Sequence, residues 1–159
     1  MKNNIKKIAS FEVDHRFIMP GIYISRSDGD ITTYDMRTRQ PNCGDYMDNI
    51  SMHSLEHMFA TYVRSSEIAE NVIYFGPMGC QTGFYLLVRN ADSNRVLEVI
   101  EDTLEKIINH DGECFGASEI ECGNYKNLDI NAAKKEAQRY LDVLKNYGEI
   151  DFLYKGEQQ

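Results

Sequence analysis

The stretch from Gly21 to Arg37 constrains the fold more than any other part of the sequence. Two β-rich runs, residues 21–26 and 31–37, flank Ser27-Asp28-Gly29-Asp30. Asp-Gly tolerates the positive φ that a tight hairpin needs, so the two runs are expected to pair antiparallel. Residues 8–14 alternate loosely and read as a further strand, and residues 71–75 and 83–88 are apolar and β-rich. A short strand is expected at 117–121. Between these lie three helical patterns, at 50–66, at 94–109 and from about Asp129 to Tyr147. The first has Asp48, Asn49 or Ser51 as its cap and Leu55, Phe59, Tyr62 and Val63 as its apolar stripe. The second would bury Val96, Leu97, Ile100, Leu104, Ile107 and Ile108, and Gly148 would stop the third. Gln40-Pro41-Asn42-Cys43-Gly44-Asp45 reads as a loop. Mixed elements with at least one hairpin imply an α+β fold, a largely antiparallel β-sheet with helices packed on one face.

A length of 159 residues fits one domain, 1–159, and 42% hydrophobic residues supply its core. The formal net charge of -8 repels phosphate backbones and anionic lipid, so neither nucleic acid nor a membrane is an expected partner. Met1 to Lys7 begins like a charged leader, but Glu12, Asp14, His15 and Arg16 interrupt any apolar run after it. A cytoplasmic location is therefore expected, with Cys43, Cys80, Cys114 and Cys122 as reduced thiols. Disorder is expected for the first few residues and for Lys155 to Gln159.

The motif His53-Ser54-Leu55-Glu56-His57 carries the chemistry. Residues four apart share a helix face, about 5–6 Å apart at Cβ, so both imidazoles can converge on one divalent ion. Glu56 flanks the same face and suits acid/base work beside a metal. The ordinary alternative is two exposed histidines next to a surface glutamate. A catalytic site needs a third ligand, and spacing does not choose among Cys43, Cys80, Cys114, Cys122, His15 and His110.

Other residues add weaker signals. Cys80 sits in the glycine-flanked run Gly76 to Gly83, which lets backbone approach a small ligand and exposes a thiol able to act as acid/base or nucleophile. Cys122 ends the expected strand, and Cys114 reads as an ordinary loop residue. Arg37 and Arg39 could each grip a carboxylate, although a solvated arginine is the commoner outcome. His15 reads as a polar strand-end residue.

Five segments in order are Ser10-Phe11-Glu12-Val13-Asp14-His15, Asp35-Met36-Arg37 with Gln40-Pro41-Asn42, His53 to His57, Gly76 to Gly83, and Glu121-Cys122-Gly123. With these the chain resembles the S-ribosylhomocysteine lyase (LuxS) family over nearly its whole length. The resemblance implies a lyase that splits S-ribosylhomocysteine into homocysteine and 4,5-dihydroxy-2,3-pentanedione, the autoinducer-2 precursor of quorum sensing and a by-product of the activated methyl cycle. It implies His53, His57 and Cys122 as metal ligands, and Glu56 and Cys80 as the acid/base pair. Ser10, His15 and Arg37 would form the substrate site. It further implies one divalent metal per subunit, natively Fe2+ with Zn2+ or Co2+ as substitutes, and a homodimer with sites at the interface. One departure is Tyr74-Phe75-Gly76, where the family often has Asp-Ile-Ser, so a carboxylate expected near the substrate is missing. Two rivals remain at this point: a metallopeptidase of the inverted zincin type, with Glu56 activating water, and a non-catalytic metal-stabilised module.

Overall fold

A computed structural model describes residues 4–156. The disorder expected at the chain ends falls partly on residues 1–3 and 157–159, which lie outside the described residues.

The hairpin forms as expected. Strand β1 (Gly21–Asp28) pairs antiparallel with β2 (Ile31–Arg37), and Gly29 takes φ +61° in the turn. β3 (Val72–Pro77) and β4 (Gly83–Arg89) complete a four-stranded antiparallel sheet in the order β1-β2-β4-β3. Period-two alternation gives the sheet two chemically different faces. Ile22, Tyr34, Met36, Phe75, Phe84 and Leu86 lie in register on one face and join the hydrophobic core. Tyr23, Asp35, Arg37 and Tyr85 alternate with them on the other.

Helices α2 (Asn49–Val63), α3 (Ser93–Ile108) and α4 (Ile130–Asn146) pack on one another, and α2 and α4 also reach the sheet. Each starts at an aspartate, Asp48, Asp92 or Asp129, whose side chain accepts a backbone N–H of the first turn. α3 buries Val96, Val99, Ile100, Thr103, Leu104 and Ile107, while Leu97 and Ile108 stay partly exposed at its rim. Gly148, at φ +87°, follows the end of α4 as its expected stop.

Two expected strands do not form. Residues 8–14 instead make a short helix, α1 (Ala9–Glu12), followed by a single 3-10 turn at His15–Phe17 that the Asp14 carboxylate caps. Ile8 and Phe11 remain 55% and 64% exposed, so their alternation meets no covering sheet among the described residues. Around 117–121 the backbone turns back on itself, with the amides of Glu121 and Cys122 both donating to the Ser118 carbonyl. Ile120 is 97% exposed there, which leaves no apolar face for a sheet to cover.

The C-terminal segment returns to the sheet. Ile24 N donates to the Phe152 carbonyl, and the Tyr154 ring stacks on Tyr23 at 4.9 Å. It covers the polar face at Asp35, which accepts a hydrogen bond from the Tyr154 hydroxyl.

Candidate active site

Helix α2 presents His53 and His57 one turn apart, their rings perpendicular at 4.7 Å. Cys122 arrives from the irregular segment between α3 and α4. Its Sγ lies 3.4 Å from His53 Nε2, and the ligand atoms of His53, His57 and Cys122 all fall within 4.8 Å of one another. A tetrahedral shell places such atoms only about 3.5 Å apart, so a small inward movement closes this set on one ion. Of the third-ligand alternatives open in the sequence, the fold therefore brings Cys122 to the pair.

The donor set fits a divalent metal because the outer nitrogens are already engaged. His57 Nδ1 lies 2.8 Å from the Phe115 carbonyl, which only accepts, so the proton sits on Nδ1 and Nε2 keeps its lone pair. His53 Nδ1 meets Asn127 Oδ1 at 2.8 Å with the same effect. Cys122 Sγ accepts the Asn124 amide at 3.4 Å. The loop can come this close only because residue 116 is glycine. It has φ +70°, and a Cβ there would stand 2.9 Å from His57 Nδ1. Sequence reading found the histidine pair but missed Phe115, Gly116 and Asn127. None forms a local pattern with His53 or His57; contact needs the chain to return over 58 residues to Phe115 and 74 to Asn127.

Glu56 is half-buried on the same helix between the two ligands. His110 is used elsewhere: its Nε2 donates to the Glu113 carbonyl and its Nδ1 accepts from Tyr62. Cys114, expected in a loop, is 7% exposed and belongs to the core, where burial pushes its thiol up from the ordinary value. It lines a cavity of about 550 Å³ together with Asn127, Leu128 and Ile50. All four cysteines are free thiols.

Cys80 is exposed in the β3–β4 connection, in a cavity of about 290 Å³ shared with His15, Asn42, Tyr46 and Thr82. Two residues lining it, Asn42 (φ +61°) and Gln81 (φ +66°), hold backbone conformations that side chains disfavour. Hydrogen bonds hold Gln81: Met47 N donates to its carbonyl, and its Nε2 donates to that of Met47. None of His53, His57 and Cys122 lines this cavity. Ser10 lies in α1, is half-buried and is not among the residues that line it.

Of the two readings open for Arg37 and Arg39, solvated or gripping a carboxylate, the fold takes the second: they are 2% and 4% exposed. Arg37 grips Asp35 with Nε (3.0 Å) and Nη2 (2.6 Å), and gives Nη1 to Thr82 Oγ1 at 2.8 Å. Arg39 donates to Glu136 of α4 at 2.5 Å and also approaches Asp45. Tyr74 and Gly76 turn out to be coupled: the Tyr74 ring lies over Gly76, where a Cβ would overlap it.

A family model described as S-Ribosylhomocysteinase (LuxS) matches residues 8–149. The S-ribosylhomocysteine lyase of Borreliella afzelii (strain PKo) is 42% identical over 156 residues, covering 94% of this chain and 99% of that protein. Those of Finegoldia magna, at 41% over 155 residues, and Clostridium beijerinckii, at 38% over 157, are covered to the same 94% and 99%.

Proposed function

The chain belongs to the S-ribosylhomocysteinase (LuxS) family, and from that membership we propose that it cleaves the thioether of S-ribosylhomocysteine. The products are homocysteine and 4,5-dihydroxy-2,3-pentanedione. One structural observation carries the reading: two imidazoles and a thiol converge with their outer contacts already made. His53, His57 and Cys122 would hold one divalent ion. When bound, such an ion supplies Lewis-acid stabilisation of negative charge developing on oxygen.

A thioether leaves readily only when it stands β to a carbonyl and the intervening carbon can lose a proton. The open-chain sugar begins with its carbonyl at C1, and sulfur is on C5. Two proton shifts bring the carbonyl to C3: a proton leaves C2 and one is added at C1, then a proton leaves C3 and one is added at C2. Loss of the C4 proton then expels homocysteine thiolate, which is protonated on release, and the enol left behind tautomerises to the diketone. Cys80 takes the first exchange, between C2 and C1. Glu56, half-buried beside the ligands, takes the second and the elimination. His15 shares the Cys80 cavity and would bind substrate there, whereas Arg37 acts from beneath through Thr82. Ser10 would join the site from the N-terminal arm.

The Cys80 cavity and the metal ligands have no residue in common. A homodimer in which one subunit's Cys80 faces the other's metal would unite them. The native ion in this reading is Fe2+.

Adding S-ribosylhomocysteine and titrating released homocysteine with a thiol reagent tests the activity directly. Cys80→Ala and Glu56→Gln should each retain metal yet lose at least about 10²-fold in turnover, the low end of a single acid/base contribution. Full activity in both variants would refute the assignment. No homocysteine release from the metal-loaded wild type would refute the function.

A further inference from the structure

Thr82 is held from both ends. Its backbone carbonyl accepts the amides of Thr38 (2.9 Å) and Arg39 (3.0 Å) and the Thr38 hydroxyl (3.2 Å). Its Oγ1 meets Arg37 Nη1 at 2.8 Å and Cys80 Sγ at 3.0 Å. Behind it stands a buried chain: Arg37 is clamped by Asp35, and Asp35 Oδ2 also accepts the Tyr154 hydroxyl at 2.8 Å. Burial first, and the Asp35 charge next, push the Tyr154 phenol up from its ordinary value, so it stays a donor.

Arginine has donors only. Thr82 Oγ1 must therefore accept from Arg37, and its own hydroxyl hydrogen is left over. Among the described residues its remaining partner is Cys80 Sγ. A hydroxyl fixed this way serves both states of a sulfur that gains and loses a proton. Toward a thiolate it donates. Toward a thiol, its second lone pair accepts the S–H. The contact survives proton transfer with only a turn of the hydroxyl about the Cβ–Oγ bond, no heavy atom moving.

We propose that Thr82 is a positioning residue for the Cys80 sulfur, and that Tyr154, Asp35 and Arg37 behind it fix the place of its hydroxyl oxygen. The inference rests on the Cys80 role proposed above, in which the sulfur takes a proton from C2 of the sugar and returns one to C1. It also gives the C-terminal segment a part in the site, since Tyr154 is the far end of this hydrogen-bonded path.

The test uses the metal-loaded, full-length protein. Alkylation of Cys80 by iodoacetamide, followed at the Cys80 peptide by mass spectrometry, reads the contact independently of turnover. Thr82→Val should slow this alkylation about tenfold or more, as expected for losing a hydrogen bond to a charged group. It should lower kcat by a similar factor with KM within about twofold. Thr82→Ser, which keeps the hydroxyl, should recover most of both losses. Tyr154→Phe should reduce both by about two- to fivefold, less than Thr82→Val because the lost bond reaches the sulfur only through Asp35, Arg37 and Thr82. A folded Thr82→Val protein that alkylates at the wild-type rate, or a serine variant as slow as the valine one, would overturn the inference. If Thr82→Val does not fold, Tyr154→Phe decides, and wild-type values in both readouts would overturn it. Slow alkylation with unchanged kcat would support the contact and overturn the catalytic role of Cys80 instead.

Discussion

At the scale of single residues, the metal site depends as much on the outer nitrogens of its histidines as on the ligands. Gly116 makes the sharpest prediction. Alanine there would set a Cβ 2.9 Å from His57 Nδ1 in a backbone conformation that alanine resists. The Phe115 carbonyl would have to withdraw from His57, so Gly116→Ala should weaken zinc or cobalt binding about 10–100-fold, as loss of such a supporting contact does. Competition against a chelator measures this, and wild-type affinity in the variant would contradict it. The identity of the ion belongs to this scale too. A His2Cys set suits iron and zinc alike, so metal analysis after anaerobic purification is the deciding measurement, with ferrous iron expected and zinc alone counting against it. Arg37 and Asp35 were partly legible, because residues two apart on a strand share a face. Arg39 was not, because its carboxylate partner Glu136 lies 97 residues away.

At the scale of elements, α2 positions the ligands, and its first turn depends on Asp48. That carboxylate accepts Ser51 N at 2.7 Å, and this backbone hydrogen bond holds its pKa below the ordinary value. Asp48→Ala should cost about 1 kcal/mol of stability. Asp48→Asn keeps the cap without its charge. Since the folded pKa is the lower one, the ionised cap contributes fully above the ordinary carboxylate range and is lost as pH falls through the folded value. Thermal melts between about pH 7 and pH 3 should therefore show the wild type losing ground to Asp48→Asn on acidification. A constant difference between the two would contradict the role of Asp48. Hairpin, helices and caps were readable in the sequence because each rests on local chemistry. The expected strands 8–14 and 117–121 do not form; the loose alternation of 8–14 makes a strand only where a neighbour covers the apolar side. Phe11 and Ile120 have no such cover among the described residues.

At the scale of the whole molecule, exposed apolar side chains gather in the N-terminal arm: Ile8, Phe11, Phe17 and Met19 are all at least 47% exposed. The arm lies against the C-terminal segment, where Ala9, Val13 and Leu153 line one cavity. A surface of this kind suits a partner subunit, in keeping with the proposed dimer. Mixing subunits tests it. Heterodimers of Cys80→Ala with His57→Ala chains retain one intact site if Cys80 and the metal come from different subunits. Statistical mixing makes half the dimers mixed, so activity should return to about a quarter of wild type. No recovery after verified exchange would put both groups in the same subunit. Among the described residues no helix is long and apolar enough to cross a membrane.

The sequence by itself determined the hairpin, the helix carrying His53 and His57, and, through its ordered motifs, the family. Each is written in neighbours a few residues apart, where turn preference, helical spacing and capping act. Only the tertiary structure decided how the imidazoles are held. Asn127 and the Phe115 carbonyl come from a segment without regular pattern, and Gly116 matters only once the chain folds back onto α2. The hydrogen-bonded path from Tyr154 to Cys80 likewise spans the C-terminal segment, β2 and the β3–β4 connection. Hydrogen bonds between residues so far apart leave no trace in local sequence, because their geometry exists only after the core has packed.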